Sequence, residues 1–414
     1  MPSIEPVKQA AEPAGTGGAA RTILFLTVFI DLLGFGIVIP FLPMFAKNLG
    51  VGAFGVGLIM AIYSLMQLIV APVLGRISDR VGRKPVIMLG LLGSSAGYAI
   101  YGFAGSFVAL LASRALHGAC AGTISTAQAY VADTTDDKNR ARGMGMIGAA
   151  FGLGFVLGPA LGGLLGQWGL RTPVFFAAGL TLGNFVFAGI RLPESHHPDK
   201  SQPLERGGII EPLLALPREL TRHRLTRLFG IAFLVTSAIA ALETTFALTA
   251  AAVYGYGAVG VGMTLAFAGV VQAVTQGYLL GKVVKRVGEQ SLVKWGALAL
   301  AVGLAPLGTL ASPFAMLALM AILSLGYGLA SPSIASLISR NTAGHLQGEV
   351  LGVNQSAMSL ARICGPIMGG LLYQAIGPAA PYISGAAIAV VALAMAGKID
   401  TGNLQEEGAR QCSA

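Results

Sequence analysis

The stretch GRISDRVGRKP, residues 75–85, packs Arg76, Arg80, Arg83, Lys84 and Asp79 around two glycines. Predominantly apolar sequence of about twenty residues lies on either side, a length that matches the hydrocarbon core of a bilayer. Charge is scarce elsewhere. Asp, Glu, Lys and Arg make up 11% of the 414 residues and hydrophobic residues 54%, whereas soluble domains carry charge on about a quarter of their positions. Twelve apolar runs can be delimited: 22–46, 54–75, 85–104, 107–131, 143–168, 172–192, 226–252, 258–281, 291–311, 313–338, 350–376 and 378–397. Lipid offers the backbone no hydrogen-bond partners, so such runs must be helical. The expected fold is an all-α polytopic membrane protein of twelve transmembrane helices. A soluble protein would need charged surface helices, and there are none in the pattern.

The net charge of +9 is distributed by side. Lys47 and Arg171 fall in loops on one side of the twelve-span arrangement, and Arg114 and Arg362 fall inside spans. The rest of the 27 Lys and Arg lie on the other side, in the termini, in alternate loops or within a few residues of the span ends that meet them. By the positive-inside rule this puts both termini and the loop at 75–85 in the cytoplasm. A nucleic-acid footprint would instead be one basic stripe with interleaved aromatics, so no nucleic-acid partner is expected. Residues 1–20 read as a polar, disordered tail, with no small-residue cleavage site after the first apolar run. Cys120, Cys364 and Cys412 form neither a disulfide framework nor a metal site.

The polar interval 193–225 separates six spans from six, giving halves at 21–192 and 226–398, with a second tail at 399–414. Its His196–His197 pair, with no cysteine nearby, reads as solvated. Two echoes indicate duplication: GRISDRVG at 75–82 returns as GKVVKRVG at 281–288, and GPALGGLL at 158–165 as GPIMGGLL at 365–372. The offsets are 206 and 207 residues. Paired halves of this kind place a substrate site between them near the midplane.

These motifs resemble those of a known family. Gly75, Asp79, Arg80, Gly82, Arg83 and Lys84 match the G-x-x-x-D-R-x-G-R-[KR] loop of the major facilitator superfamily. RALHG at 114–118 resembles its R-x-x-Q-G motif, with His117 in place of Gln. GAAFGLGFVLGPALGG at 148–163 resembles the antiporter motif of span five. DLLGFGIVIPFLP at 31–43 and AYVADTTDDKNRARGMG at 129–145 resemble the tetracycline-efflux branch of the twelve-span drug:H+ antiporters. The resemblance implies a monomer in a bacterial inner membrane, driven by the proton gradient without a cofactor, with protons, lipid and a small-molecule substrate as its partners. Members of this branch carry an acid in span nine and a histidine in span eight. Here span nine has no acid, and span eight offers Gln272 and Gln276.

Ionisable residues inside a membrane are costly and are functional candidates by default. Asp31 lies about 14 Å of helix rise into span one. Arg114 in span four is the expected partner, since burial favours a protonated carboxyl and a nearby cation an ionised one. Glu243 is the acid embedded in the second half and Arg362 its cation, the latter pairing with Glu243 or Asp31 or binding an anionic group. His117, Gln128, Gln272, Gln276, Asn354 and Gln355 are cavity candidates, and Gln67 a helix–helix donor. The resemblance implies that Asp79 accepts hydrogen bonds from the start of span eleven and that Asp133 pairs with an arginine of the loop, forming a latch. Gly154, Gly158, Gly162 and Gly166 share one face of span five, permitting close helix approach, with Pro159 and Gly163 completing the motif. The aromatics Tyr63, Phe103, Phe246 and Phe267 read as packing or lipid-facing. No G-x-x-x-x-G-K-[ST] loop or catalytic constellation is present, so neither an ATPase nor another enzyme is expected. The reading is a proton-coupled exporter of moderately hydrophobic molecules. The alternatives are a symporter or facilitator for a sugar or organic anion and, in another class, a transporter-like receptor or scaffold.

Overall fold

The computed structural model describes residues 16–135, 137–195, 225–342 and 347–398. The tail expected at 1–20 is helical from Thr16 onward, where span one begins; its residues 1–15, the tail at 399–414 and the linker segment 196–224 with its histidine pair lie outside the described residues. No strand occurs among the described residues. The first half contains span one (Thr16–Val38, a 3-10 turn Ile39–Phe41, then Leu42–Asn48), span two (Ala53–Val81) and span three (Arg83–Phe103). Span four (Phe107–Cys120 and Thr123–Asp133), span five (Asp137–Leu165) and span six (Thr172–Arg191) complete it. The second half contains span seven (Thr226–Tyr254), spans eight and nine within Ala258–Leu304, span ten (Pro313–Arg340), span eleven (Gln347–Ala375) and span twelve (Ala380–Gly397).

Ten stretches of the described residues are long and apolar enough to cross a membrane. One of them, Ala258–Leu304, is 47 residues and consists of two rods meeting at Gly288, whose φ of +75° breaks the helix. Span eleven is 29 residues long, enough for about 43 Å of helix, and Asn354, Gln355 and Arg362 lower its hydropathy. Twelve rods result.

The expected loop at 75–85 is almost entirely helix. Span two runs to Val81 and span three starts at Arg83, and the chain reverses on Gly82 alone, at φ +100° and ψ 160°. A residue with a Cβ would be strained there. Gly288, its repeat counterpart, has ψ 161°. Span nine ends at Leu304, earlier than expected, just before Pro306. Serine side chains set two other starts: Ser106 accepts from the Ala109 N–H at 3.2 Å, and Ser312 from that of Ala315 at 3.4 Å.

The two halves meet at one end through small residues. A Cβ on Gly262 of span eight would lie 2.5 Å from the carbonyl oxygen of Pro159 and 2.7 Å from Cα of Gly163 in span five. Gly57 of span two is in the same relation to Pro366 of span eleven. Pro159 and Pro366 are repeat partners, so Gly57 and Gly262 are too, but their offset is 205 residues and that of Gly82 and Gly288 is 206. The extra residue is visible as the π-helical turn Thr275–Leu279 in span eight. A π turn is a one-residue insertion in a helix, and such turns concentrate at functional sites.

Toward the other end, which carries Gly82 and Gly288 and is called here the basic end, the same faces part. Phe155 and Val156 of span five still touch Gly269 of span eight. Three to seven residues further along, Gly152 and Gly148 of span five have open space beside them, and Gln276, seven residues past Gly269, is exposed. Among the described residues, the halves are sealed together at the far end and the faces of spans five and eight are parted toward the basic end.

Candidate functional site

Asp31, Arg114, Glu243 and Arg362 all lie well inside the bundle, and none is ion-paired. The expected Asp31–Arg114 pair is not formed. Arg114, 2% exposed, has turned to its own helix, where its Nη1 donates to Nδ1 of His117 at 2.9 Å. Guanidinium has no acceptor, so Nδ1 accepts and the imidazole proton sits on Nε2. The cation also lies over Tyr63, 4.5 Å from the ring centroid, and 5.8 Å from that of Phe35. Phe35, Tyr63 and Tyr98 enclose His117, with ring separations of 6.0, 5.3 and 4.3 Å. Tyr63 thus belongs to a central aromatic box. Phe246 is buried packing, while Phe103 and Phe267 are exposed.

Asp31 keeps one buried carboxylate oxygen without a hydrogen-bond partner. Glu243 is distinctive in another way. Every residue from Ala240 to Ala250 is buried except Glu243, which is exposed. Span seven is largely enclosed by other helices, so this carboxylate faces the internal opening between the halves. Arg362 forms no ion pair with Glu243 or Asp31, and its buried Nε has no hydrogen-bond partner.

Gln128, Gln276 and Gln355 are exposed and Gln272 half-buried. Asn354 is buried, with Oδ1 unpartnered and Nδ2 3.7 Å from Sδ of Met358. Gln67 donates to the carbonyl of Ala121 at 3.4 Å, at the break in span four, as a helix–helix tie. Gly158 and Gly162 pack on Gly36 and Ile37 of span one and Gly154 on Leu32, within one half. Gly163 and Pro159 make the contact to the other half.

At the basic end Arg83 is the hub. It reaches Asp79 at 2.5 Å, Asp133 at 2.9 Å and Oγ of Ser78 at 2.7 Å. Its side chain is 8% exposed. Arg83 is thus a buried tie between helix ends, and Lys84 is half-buried, donating to the carbonyl of Gly189 at 2.9 Å. Arg76 and Arg80 are exposed. Glu194, which the sequence reading passed over, caps span three: it accepts from the Arg83 N–H at 2.8 Å and the Lys84 N–H at 3.1 Å, where the helix dipole favours an anion. Its signal was an acid directly after span six on the side of the cationic stretch. The start of span eleven, proposed to meet Asp79, falls on residues 343–349, outside the described side chains.

Exchanging Arg114 for lysine is expected to lower the melting temperature in detergent. A lysine keeps the charge but cannot lie flat on Tyr63 while bonding His117, a loss of about 1–3 kcal/mol. Unchanged melting would show that the charge alone matters.

Two six-helix halves that meet at one end, with charges free of ion pairs inside the bundle, define a secondary transporter. The chain belongs to the Major Facilitator Superfamily, whose family model matches residues 24–363 and 279–401. It is 32% identical over 381 residues to the tetracycline resistance protein, class C, of Escherichia coli, covering 90% of this chain and 95% of the relative. It is 33% identical over 359 residues to multidrug resistance protein 2 of Bacillus subtilis (strain 168), covering 85% and 88%. Among solved structures, the human organic anion transporter MFSD10 (TETRAN) superposes with a TM-score of 0.68 at 26% identity, covering 93% of this chain and all of the other.

Proposed function

We propose that this protein is a proton-coupled antiporter that exports moderately hydrophobic small molecules by alternating access. The observation that carries the reading is Glu243, an unpaired carboxylate exposed within an otherwise buried helix. Asp31, with its unpartnered buried oxygen, is the second candidate. A permanent ion pair would hold each acid ionised, whereas an unpaired acid inside a membrane can exchange a proton for a ligand. The resistance proteins among the relatives support export of drugs. The positive-inside pattern makes the basic end cytoplasmic, so the described arrangement is the one that admits substrate from the cell.

In this mechanism substrate enters between the halves and lies against Asp31, Glu243, Arg362 and the aromatic box. Its binding favours the ionised acid, and a proton leaves toward the cytoplasm. The halves then rock, opening the far end. A proton from outside neutralises the acid and releases the substrate.

Adding a panel of drugs to the purified protein in weakly buffered detergent is expected to release protons with at least one compound. The release should be lost in Asp31→Asn or Glu243→Gln and retained in the other. Drug binding without proton release in any form would overturn antiport and favour a symporter or facilitator.

A further inference from the structure

Carrying the repeat offset through the ion pairs uncovers a second network. Asp79, Arg83 and Asp133 have Lys285, Glu289 and Arg340 as counterparts, 206, 206 and 207 residues further on. Every sign is reversed. The pairing nevertheless persists: Arg340 Nη1 donates to Oε1 of Glu289 at 2.6 Å, where Arg83 donates to Asp133 at 2.9 Å. Ser336 adds a hydrogen bond to the same glutamate oxygen at 3.3 Å. In each half the pair ties the first residue after the turning glycine to the end of the following span: span three to span four, and span nine to span ten.

A charge kept to hold a lipid headgroup or to set orientation would keep its sign. Positions that invert together retain only their mutual attraction. We propose that Glu289–Arg340 is a positioning ion pair of the transport cycle. It joins spans nine and ten into one block at the basic end, and turnover depends on the complementarity of the two residues, whichever is the acid.

The exposure of the pair separates this role from folding. The Arg340 side chain is 68% exposed and that of Glu289 17%, against 8% for Arg83 and 23% for Asp133. An exposed pair contributes little to stability. Closing the basic end brings the ends of spans nine and ten toward the other half, so closure needs those ends held in register. Breaking the pair therefore disfavours the closed basic end more than it disfavours the fold. The proposal rests on the alternating-access reading, and its test reads conformation as well as export.

The test compares Glu289→Arg, Arg340→Glu and the exchange Glu289→Arg/Arg340→Glu. All are made in a Cys120→Ser/Cys364→Ser/Cys412→Ser protein with Gln276→Cys as reporter, labelled by an impermeant maleimide in inside-out vesicles. Each single variant is expected to raise the labelling rate about threefold or more and to move the melting temperature by less than about 3 °C. In the protein with native Gln276, each should lower the rate of drug export about tenfold with the drug's Kd unchanged. The exchange should return every reading to within about twofold of the parent. Singles that behave like the parent, or an exchange as impaired as the singles, would overturn the proposal. If the parent exports no drug, the proposed function fails, and the labelling pattern alone decides for or against the pair.

Discussion

Replacing Arg83 with methionine is expected to abolish export and to lower the melting temperature more than any other exchange at the basic end. Methionine fills the space of the arginine stem but offers no donors. Asp79, Asp133 and Ser78 would each lose the bonds of 2.5–2.9 Å that the guanidinium now makes. Removing one member of a buried pair costs about 3–5 kcal/mol. Asp79 is 57% exposed and recovers most of its loss through water, while Asp133 at 23% recovers less, so about 2–3 kcal/mol is expected. Export should fall further than stability, because the hub joins the ends of spans two, three and four. Arg83→Lys should be intermediate, since an ammonium serves as a point charge without the fork that reaches three acceptors. Melting curves in detergent and export from vesicles check both statements. A methionine variant that melts and exports like the parent would mean that the network at the basic end is idle.

Much of this architecture is legible in the sequence because the bilayer imposes a simple rule. Apolar runs of the right length must be helices, and the two echoes fix the duplication. What the sequence hid is tertiary. The cationic stretch at 75–85 looked like a loop because charge normally marks one. Only the conformation of Gly82 shows that a single residue suffices to turn the chain, leaving Asp79 and Arg83 on two helix ends within pairing distance. Asp31 and Arg114 were natural partners on charge and depth. His117, three residues from Arg114 on the same helix, and the face of Tyr63 compete for the guanidinium and win. That outcome depends on side-chain directions that spacing does not give. Arg340 and Glu289, by contrast, were within reach of the sequence, since adding the repeat offset to Asp133 and Arg83 finds them. The π turn in span eight was not, because a one-residue insertion between two weak repeats leaves no mark in composition.

The second large effect concerns the far-end seal. The exchange Gly57→Val/Gly262→Val is expected to trap the protein with its basic end closed. At Gly262 a Cβ would stand 2.5 Å from the Pro159 oxygen, and at Gly57 it would stand 3.0 Å from the carbonyl carbon of Pro366 and closer still to its oxygen. Both obstacles are backbone atoms that cannot swing aside, and both belong to the opposite half. The clash therefore exists only while the far end is shut. Overpacking costs about 1–3 kcal/mol per site, and two distant sites add. The sum approaches the ~5.5 kcal/mol that moves a two-state equilibrium from 1:99 to 99:1. Export should drop below about 1% of the parent, and maleimide labelling of Gln276→Cys from the basic side should slow about tenfold or more. Gly183→Val, on span six with open space around it, should leave both readings unchanged. Loss of folded protein in the double variant would assign these glycines to assembly of the bundle. Labelling at the parent rate with folded protein retained would mean that the halves need not meet here, and alternating access around this seal would have to be abandoned.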